Sequence, residues 1–299
     1  SKIYDANTDA IAANITLSNL ASSETLNHSG TASVGSANAG SYTITNLSGV
    51  SIADGSNGGL ASNYTLTGGT HNFTVNQRAI SLSGTRLYDA TTNAAASDLS
   101  TMANLVGSET LTLSGTGSIA SANVSSNKTV TTGTLALADG SNGGLAANYT
   151  LSGGTHQLTV NQRPLIATLA RQYDATTTAA GSDLSSFNDL QGGETLSVSG
   201  SGTATSANVA NSIAMANNGT LALADGTGLA SNYSLNSTII NISQRVLNSS
   251  GSKIYDANTD AIAANITLSN LASSETLNHS GTASIGSANA GSYLSLIHI

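Results

Sequence analysis

Apolar residues alternate with small polar ones in short runs along the whole chain. Ile80 and Leu82 are separated by Ser81, Leu111 and Leu113 by Thr112, and Leu135 and Leu137 by Ala136. Phe73 and Val75 alternate in the same way just before Gln77-Arg78. Successive side chains of an extended strand point to opposite faces, so a period of two places such residues on one buried face. Clusters of Gly, Asn, Ser and Asp separate the runs, as in Asp54-Gly55-Ser56-Asn57-Gly58-Gly59. These residues supply the positive φ angles and side-chain caps that turns need. The best helical candidate is 97–106, with Asp98 placed to cap it, and it has room for a turn or two at most. The pattern predicts an all-β chain.

The runs recur in phase. Tyr-Asp stands at Tyr4-Asp5, Tyr88-Asp89, Tyr173-Asp174 and Tyr255-Asp256, at steps of 84, 85 and 82 residues. Glu-Thr-Leu begins at Glu24, Glu109, Glu194 and Glu275, and Ser-Ala-Asn at Ser36, Ser121, Ser206 and Ser287. Gly-Leu-Ala-x-Asn-Tyr-x-Leu ends at Leu66, Leu151 and Leu235, and Gln-Arg closes the full copies at Arg78, Arg163 and Arg245. Such a period marks a tandem array. The modules are 1–78 (its start truncated), 79–163, 164–245 and a truncated 246–293. Residues 252–293 repeat 1–42 with one change, Val34 to Ile285, which implies duplication of a three-module unit of 251 residues. The tail 294–299 matches no other copy, resembles translated adapter sequence and carries no weight here. Because Ser1 falls inside a repeat, the chain is expected to be a piece of a longer one.

A module of about 84 residues can enclose one small core. Six to eight short strands are expected in each, arranged as a small β-sandwich or a β-grasp-like sheet. A parallel β-helix is the rival, but its coils recur about every 20–29 residues, and each marker here appears once per module.

Composition narrows the function classes. Charged residues are 8% of the chain, against roughly 25% in an average soluble protein. Net charge is −8 with only eight basic residues and no basic run, which excludes phosphate-neutralising nucleic-acid binding. Cysteine is absent, so disulfides and thiolate chemistry are excluded. No apolar run reaches the roughly 20 residues of a membrane-spanning helix. A surface of Ser, Thr and Asn is that of a secreted β-protein.

Several motifs follow one another in fixed order: Lys-x-Tyr-Asp-x-x-Thr, Glu-Thr-Leu-x-x-Ser-Gly, Ala-Asn-Val/Ala, Gly-x-Leu-x-Leu, Asn-Tyr-x-Leu and Gln-Arg-x-Leu/Ile. The fullest stretch is 121–165, with Lys128-Thr129-Val130, Asn148-Tyr149-Thr150-Leu151 and Asn161-Gln162-Arg163-Pro164-Leu165. This order resembles the YDG/MBG-type repeats of large bacterial surface adhesins of the filamentous-haemagglutinin kind, over residues 1–293. The chain departs from them in having Ala, not Gly, after Tyr-Asp, and Arg78-Ala79-Ile80 only approximates the family's seam. The resemblance implies an extracellular, β-rich spacer or adhesive module of a Gram-negative envelope, and neither a ligand nor a catalytic residue.

Seven of the eight basic residues fall at the seams. The seam set is Lys2, Tyr4 and Asp5; Arg78 with Arg86, Tyr88 and Asp89; Arg163 with Arg171, Tyr173 and Asp174; and Arg245 with Lys253, Tyr255 and Asp256. A ligand site repeated at each seam is one reading. The preferred reading is a lock between neighbouring modules, since arrays need a defined neighbour interface. In that lock Arg78 approaches Asp89, while Arg86 stacks on Tyr88 with Asp89 on the other face.

Asp5, Asp9, Glu24 and Asp54 supply carboxylates of the kind glycoside hydrolysis uses. Their recurrence in the other complete copies argues against an active site, so no catalytic residue is assigned. The run beginning at Asp54 has Thr65 where an EF-hand places its closing acid. No cofactor is expected, and calcium at these turns is the one alternative. His28 and His279 occupy the slot of Leu113 and Val198, and His71 and His156 precede a closing strand. They lack the clustering of metal ligands and are read as incidental strand residues.

The function expected is a structural spacer or stalk of a secreted or cell-surface bacterial adhesin, associated with an outer membrane. Its partners would be its neighbouring modules. The alternative is a multivalent, low-affinity module for host glycan or protein surfaces, with avidity from repetition. Exposed aromatics would favour that alternative, but Trp is absent and the marker tyrosines are expected to be buried.

Overall fold

A computed structural model describes residues 1–293; the tail 294–299, with its assignment as an artefact, lies outside them. The chain divides into two compact units, Ser1–Asn161 and Gln162–Ile299. The described secondary structure is all-β, with single-turn 3-10 helices between strands.

The second module, in the first unit, gives the pattern. Its opening strand Ser81–Leu87 lies parallel to its closing strand His156–Asn161, from Leu82 opposite His156 to Leu87 opposite Asn161. Thr101–Ala103 flanks the opening strand; Ser125–Thr131, Thr116–Ile119 and Asn93–Ala95 follow the closing strand in that order. The first and last strands of the module make this central parallel pair. The alternation in sequence becomes a buried face: Ile80, Leu82, Leu158 and Val160 are all at most 1% exposed. Burial of each such side chain contributes about 1.5–3 kcal/mol.

In the second unit the third module repeats the order. Arg163–Gln172 pairs in parallel with Tyr233–Ser243 at the sheet's centre. Leu169, Ala179, Ala204, Ile213, Ile240 and Ile242 form its core.

One glycine explains the Glu-Thr-Leu-x-x-Ser-Gly motif. Leu111–Ser114 pairs with Ala136–Asp139 in a separate ribbon, whereas Thr116–Ile119 joins the main sheet. Gly115 stands between them at φ +86°, and a Cβ there would lie 2.2 Å from the Thr134 carbonyl oxygen. Only glycine accepts both the left-handed angle and that approach. The chain turns this corner to pass from ribbon to sheet.

The structure revises the helical candidate at 97–106. It contains one 3-10 turn, Ala96–Asp98, and then the strand Thr101–Ala103. Asp98 caps from inside the turn, its carboxylate accepting the Ala95 N–H at 3.2 Å. The flanking strand offers Met102 to the sheet through backbone pairing with Leu82, which competes successfully with helix extension.

Candidate functional site at the module junction

The opening and closing strands of a module run parallel, so the C-terminal ends of these two strands lie side by side at one end of its sheet. In the first module Lys2 pairs with Val75 and Ile3 with Asn76. The Tyr4 N–H then donates to the Asn76 carbonyl at 2.9 Å. Tyr4 therefore emerges beside Gln77-Arg78, and both meet the second module.

There the Tyr4 hydroxyl donates to Glu109 Oε1 at 2.6 Å, and the Tyr149 hydroxyl donates to Glu109 Oε2 at 2.6 Å. The two rings meet edge to face, centroids 5.4 Å apart. Tyr149 also accepts the Val106 N–H at 3.0 Å. Hydrogen bonds to a charged group contribute about 1.5–3 kcal/mol, and an aromatic pair adds about 0.5–1.5 kcal/mol. Burial and the Glu109 carboxylate push the phenols of Tyr4 and Tyr149 up to about 12.

Arg78 closes the other side. Its guanidinium donates to the Tyr4 carbonyl at 3.2 Å, to the Asn104 carbonyl at 2.8 Å and to Asn104 Oδ1 at 2.9 Å. Asn104 holds a left-handed φ of 75° and returns a hydrogen bond to the Ala79 carbonyl at 2.6 Å. Gln77 Nε2 donates to the Ala147 carbonyl at 3.1 Å. The fully buried Asn148 accepts the Ala39 N–H at 2.8 Å and donates to Asn38 Oδ1 at 3.1 Å. Tyr-Asp, Ser-Ala-Asn and Gln-Arg thus form one face of the junction, and Glu-Thr-Leu with Asn-Tyr forms the other.

The second unit has the same arrangement between the third and fourth modules. Tyr173 donates to Glu275, and Arg245 reaches the Tyr173 carbonyl at 3.4 Å and Asn270 Oδ1 at 2.9 Å. The Tyr173 phenol is raised, chiefly by its bond to Glu275. Arg163 pairs with Asp189, which occupies the Asn104 position, at 2.8 Å. That arginine holds the Asp189 carboxyl below its usual range.

Inside the first three modules the same Glu–Tyr clasp recurs, with Tyr64 on Glu24 and Tyr233 on Glu194 beside Tyr149 on Glu109. Burial first, then Glu194, pushes the Tyr233 phenol up to about 12. The bond to Glu24 raises Tyr64.

The expected contact between Arg78 and Asp89 does not form, nor does Asp89 point away from Arg86. Asp89 pairs with Arg86 instead, as Asp5 does with Lys2 at 2.8 Å, Asp174 with Arg171 and Asp256 with Lys253 at 2.8 Å. The reason is the residue after Tyr-Asp: Ala6, Ala90, Ala175 and Ala257 all have φ between 60° and 64°. That left-handed step folds the carboxylate back onto the strand it has just left. Burial alone would raise Asp5, but Lys2 and the Asn7 N–H outweigh it and hold the carboxyl low. Asp174 is likewise lowered, by Thr176 and Arg171 against burial, and Asp256 by Lys253. Tyr88 is buried, and its N–H donates to the Asn161 carbonyl at 2.9 Å. The expectation of a buried marker tyrosine fails at Tyr255, which is 62% exposed. Its module has, among the described residues, no closing strand to cover it.

The remaining candidates do local work. Asp54, Asp139 and Asp225 each accept a backbone N–H at 2.7 Å, from Ala61, Ala146 and Ala230, and so start the next 3-10 turn. No group of three or more metal-ligating side chains occurs among the described residues. The histidines tie loops rather than sit idle on strands. His28 Nε2 bridges the carbonyls of Ala12 and Ile15 at 2.9 and 3.0 Å. His156 Nε2 bonds the Leu151 carbonyl at 2.8 Å, while its Nδ1 accepts the Leu82 N–H at 3.3 Å. Sequence reasoning missed Asn104, Glu109, Asn148 and Tyr149 as junction residues, although three of the four lie in or beside markers that keep the period.

No curated protein and no solved structure matches the chain. The model of the YDG domain matches three times in succession, at 1–73, 70–156 and 154–240. With matches spanning most of its length in tandem, this chain belongs to the YDG domain family.

Proposed function

We propose that this chain is a spacer segment of a secreted or cell-surface bacterial adhesin, whose modules serve to set distance and direction for a binding region elsewhere. One observation carries the reading. The polar side chains that recur with the period are consumed in bonds within their own module or to its neighbour. Glu109 spends both oxygens on tyrosines from two modules. A residue satisfied in this way is unavailable to a ligand or a reaction. On this reading the chain performs no catalysis and needs no cofactor, and it works outside the cell at the bacterial surface.

Small-angle scattering on two- and three-module versions tests it. A spacer gives a maximum dimension that grows by a constant increment per module. A glycan array on the same pair tests the adhesive alternative: saturable binding that strengthens with copy number overturns the pure spacer.

A further inference from the structure

The two strands that pair at the centre of a module's sheet are also the two that string it into the chain. In the third module Arg163–Gln172 and Tyr233–Ser243 run parallel through ten residue pairs with one irregularity. The second module's closing strand ends at Asn161, and only Gln162 stands between it and Arg163. Tension along the chain therefore enters the opening strand at its first residue and leaves the closing strand at its last. Those two points lie at opposite ends of the ladder, where Arg163 faces Tyr233 and Gln172 faces Ser243. The two pulls oppose each other along the strand axes, so they load every rung together. A pull across one end of the ladder would break the rungs singly. The surroundings resist sliding as well. Leu184–Phe187 pairs with the outer side of the opening strand and Ala210–Asn217 with that of the closing strand. Leu165, Ala167, Leu169, Ile240 and Ile242 are at most 2% exposed and keep water from the rungs. A slide of one residue, about 3.3 Å, would turn those side chains to the opposite face.

We propose that each complete module is a mechanical clamp, in which the parallel ladder of first and last strands bears tension carried along the chain. The modules differ in grade. In the second module the ladder is in two pieces, Arg78–Ala79 on Tyr149–Thr150 and Leu82–Leu87 on His156–Asn161. The loop 151–155 divides them, whereas the third module keeps its ladder continuous past a single irregularity. The third module is therefore the stronger clamp. The clamp rests on the spacer reading for its purpose alone, since a segment that holds a binding region away from a cell carries the load when that region is held.

Single-molecule force spectroscopy on the full chain tests it. The chain has no cysteine, so introduced cysteines place the handles uniquely. Gln162, Gln172 and Gln244 are exposed and tolerate the change. Handles at Gln162→Cys and Gln244→Cys load the third module's ladder in shear. Handles at Gln172→Cys and Gln244→Cys open the same ladder from one end. Forced unfolding reads the unfolding barrier along the pulled direction, so shear should need at least about twofold more force at one loading rate. Release in shear should lengthen the chain by roughly 250 Å, which identifies the module. The second module, held at Gln77→Cys and Gln162→Cys, should yield at lower force than the third. Equal force in the two directions would overturn the clamp and leave the scattering test of the spacer standing. A second module that outlasts the third would overturn the ladder as the part that bears the load.

Discussion

Residues 1–42 and 252–293 differ only at Val34 and Ile285, and they share part of their structure but not all of it. Both form the 3-10 turn, Ala12–Asn14 and Ala263–Asn265. Both place His28 or His279 on two loop carbonyls, and both hold Ala6 or Ala257 in the left-handed region. Both keep the Lys–Asp pair. They part at the strands. Lys2–Ile3 is a strand beside Asn72–Asn76, while Lys253–Ile254 is not one. Leu26–Val34 runs for nine residues, and its counterpart keeps only Thr282–Ser284. Tyr4 is 3% exposed and Tyr255 is 62% exposed.

The difference separates two kinds of cause. Turns, caps and short-range ion pairs depend on residues a few positions apart, and they survive in both copies. The opening strand has two supports. Its first half pairs locally, as Asn248–Gly251 still does with Ile266–Ser269. Its second half pairs only with the closing strand about 70 residues later, and without that partner it does not form.

Making the first copy resemble the second should have the largest effect. Val75→Asp puts a charge where the side chain is 1% exposed, and is expected to cost about 3 kcal/mol or more. Hydrogen exchange should then lose protection at Ile3 and Tyr4 while the turn at Ala6 stays folded. Retained protection at Tyr4 would mean that the opening strand stands without its partner.

Glu109→Ala removes the acceptor from two phenols at once. The expected loss is about 2–5 kcal/mol in chemical denaturation. Glu275→Ala, which strands only the part-exposed Tyr173 at its junction, should cost less. Equal losses would contradict the two-tyrosine clasp.

High pH should act on the same contacts. The phenols of Tyr4, Tyr149 and Tyr233 are raised to about 12 from a normal value of 10. A raised phenol adds stability that is fully present below pH 10 and is lost as pH rises through about 12. Alkaline unfolding should therefore fall in that window, followed by tyrosinate absorbance. Tyr4→Phe should shrink the pH dependence there.

The smallest effect concerns what the two copies share. A left-handed Ala costs about 1–2 kcal/mol, and glycine gives back part of that gain through its own flexibility. Ala6→Gly and Ala257→Gly should each stabilise by about 0.5–1 kcal/mol. A gain at one copy alone would show that the turn depends on tertiary partners after all.

Much of the junction was legible as residues but not as contacts. The period picked out Tyr4, Arg78 and their counterparts because the same interface is built repeatedly from the same side chains. Which atoms meet was not legible. Asp89 lies close to Arg78 along the chain's repeat, yet it is claimed by Arg86, because a left-handed alanine redirects it. Glu109 read as one acid among several, since its partners Tyr149 and Tyr4 stand 40 and 105 residues away. Asn148 carried no signal of burial, being a polar residue in a loop pattern.

By itself the sequence determined the all-β pattern, the turns and the module period. Each follows from steric preferences and side-chain alternation within a few residues. Tertiary structure decided the pairing of first strand with last, the exit of Tyr4 beside Arg78, and the choice of Glu109 as their common target. Those depend on bringing distant backbone edges together, and a hydrogen-bonding edge accepts many partners until topology selects one.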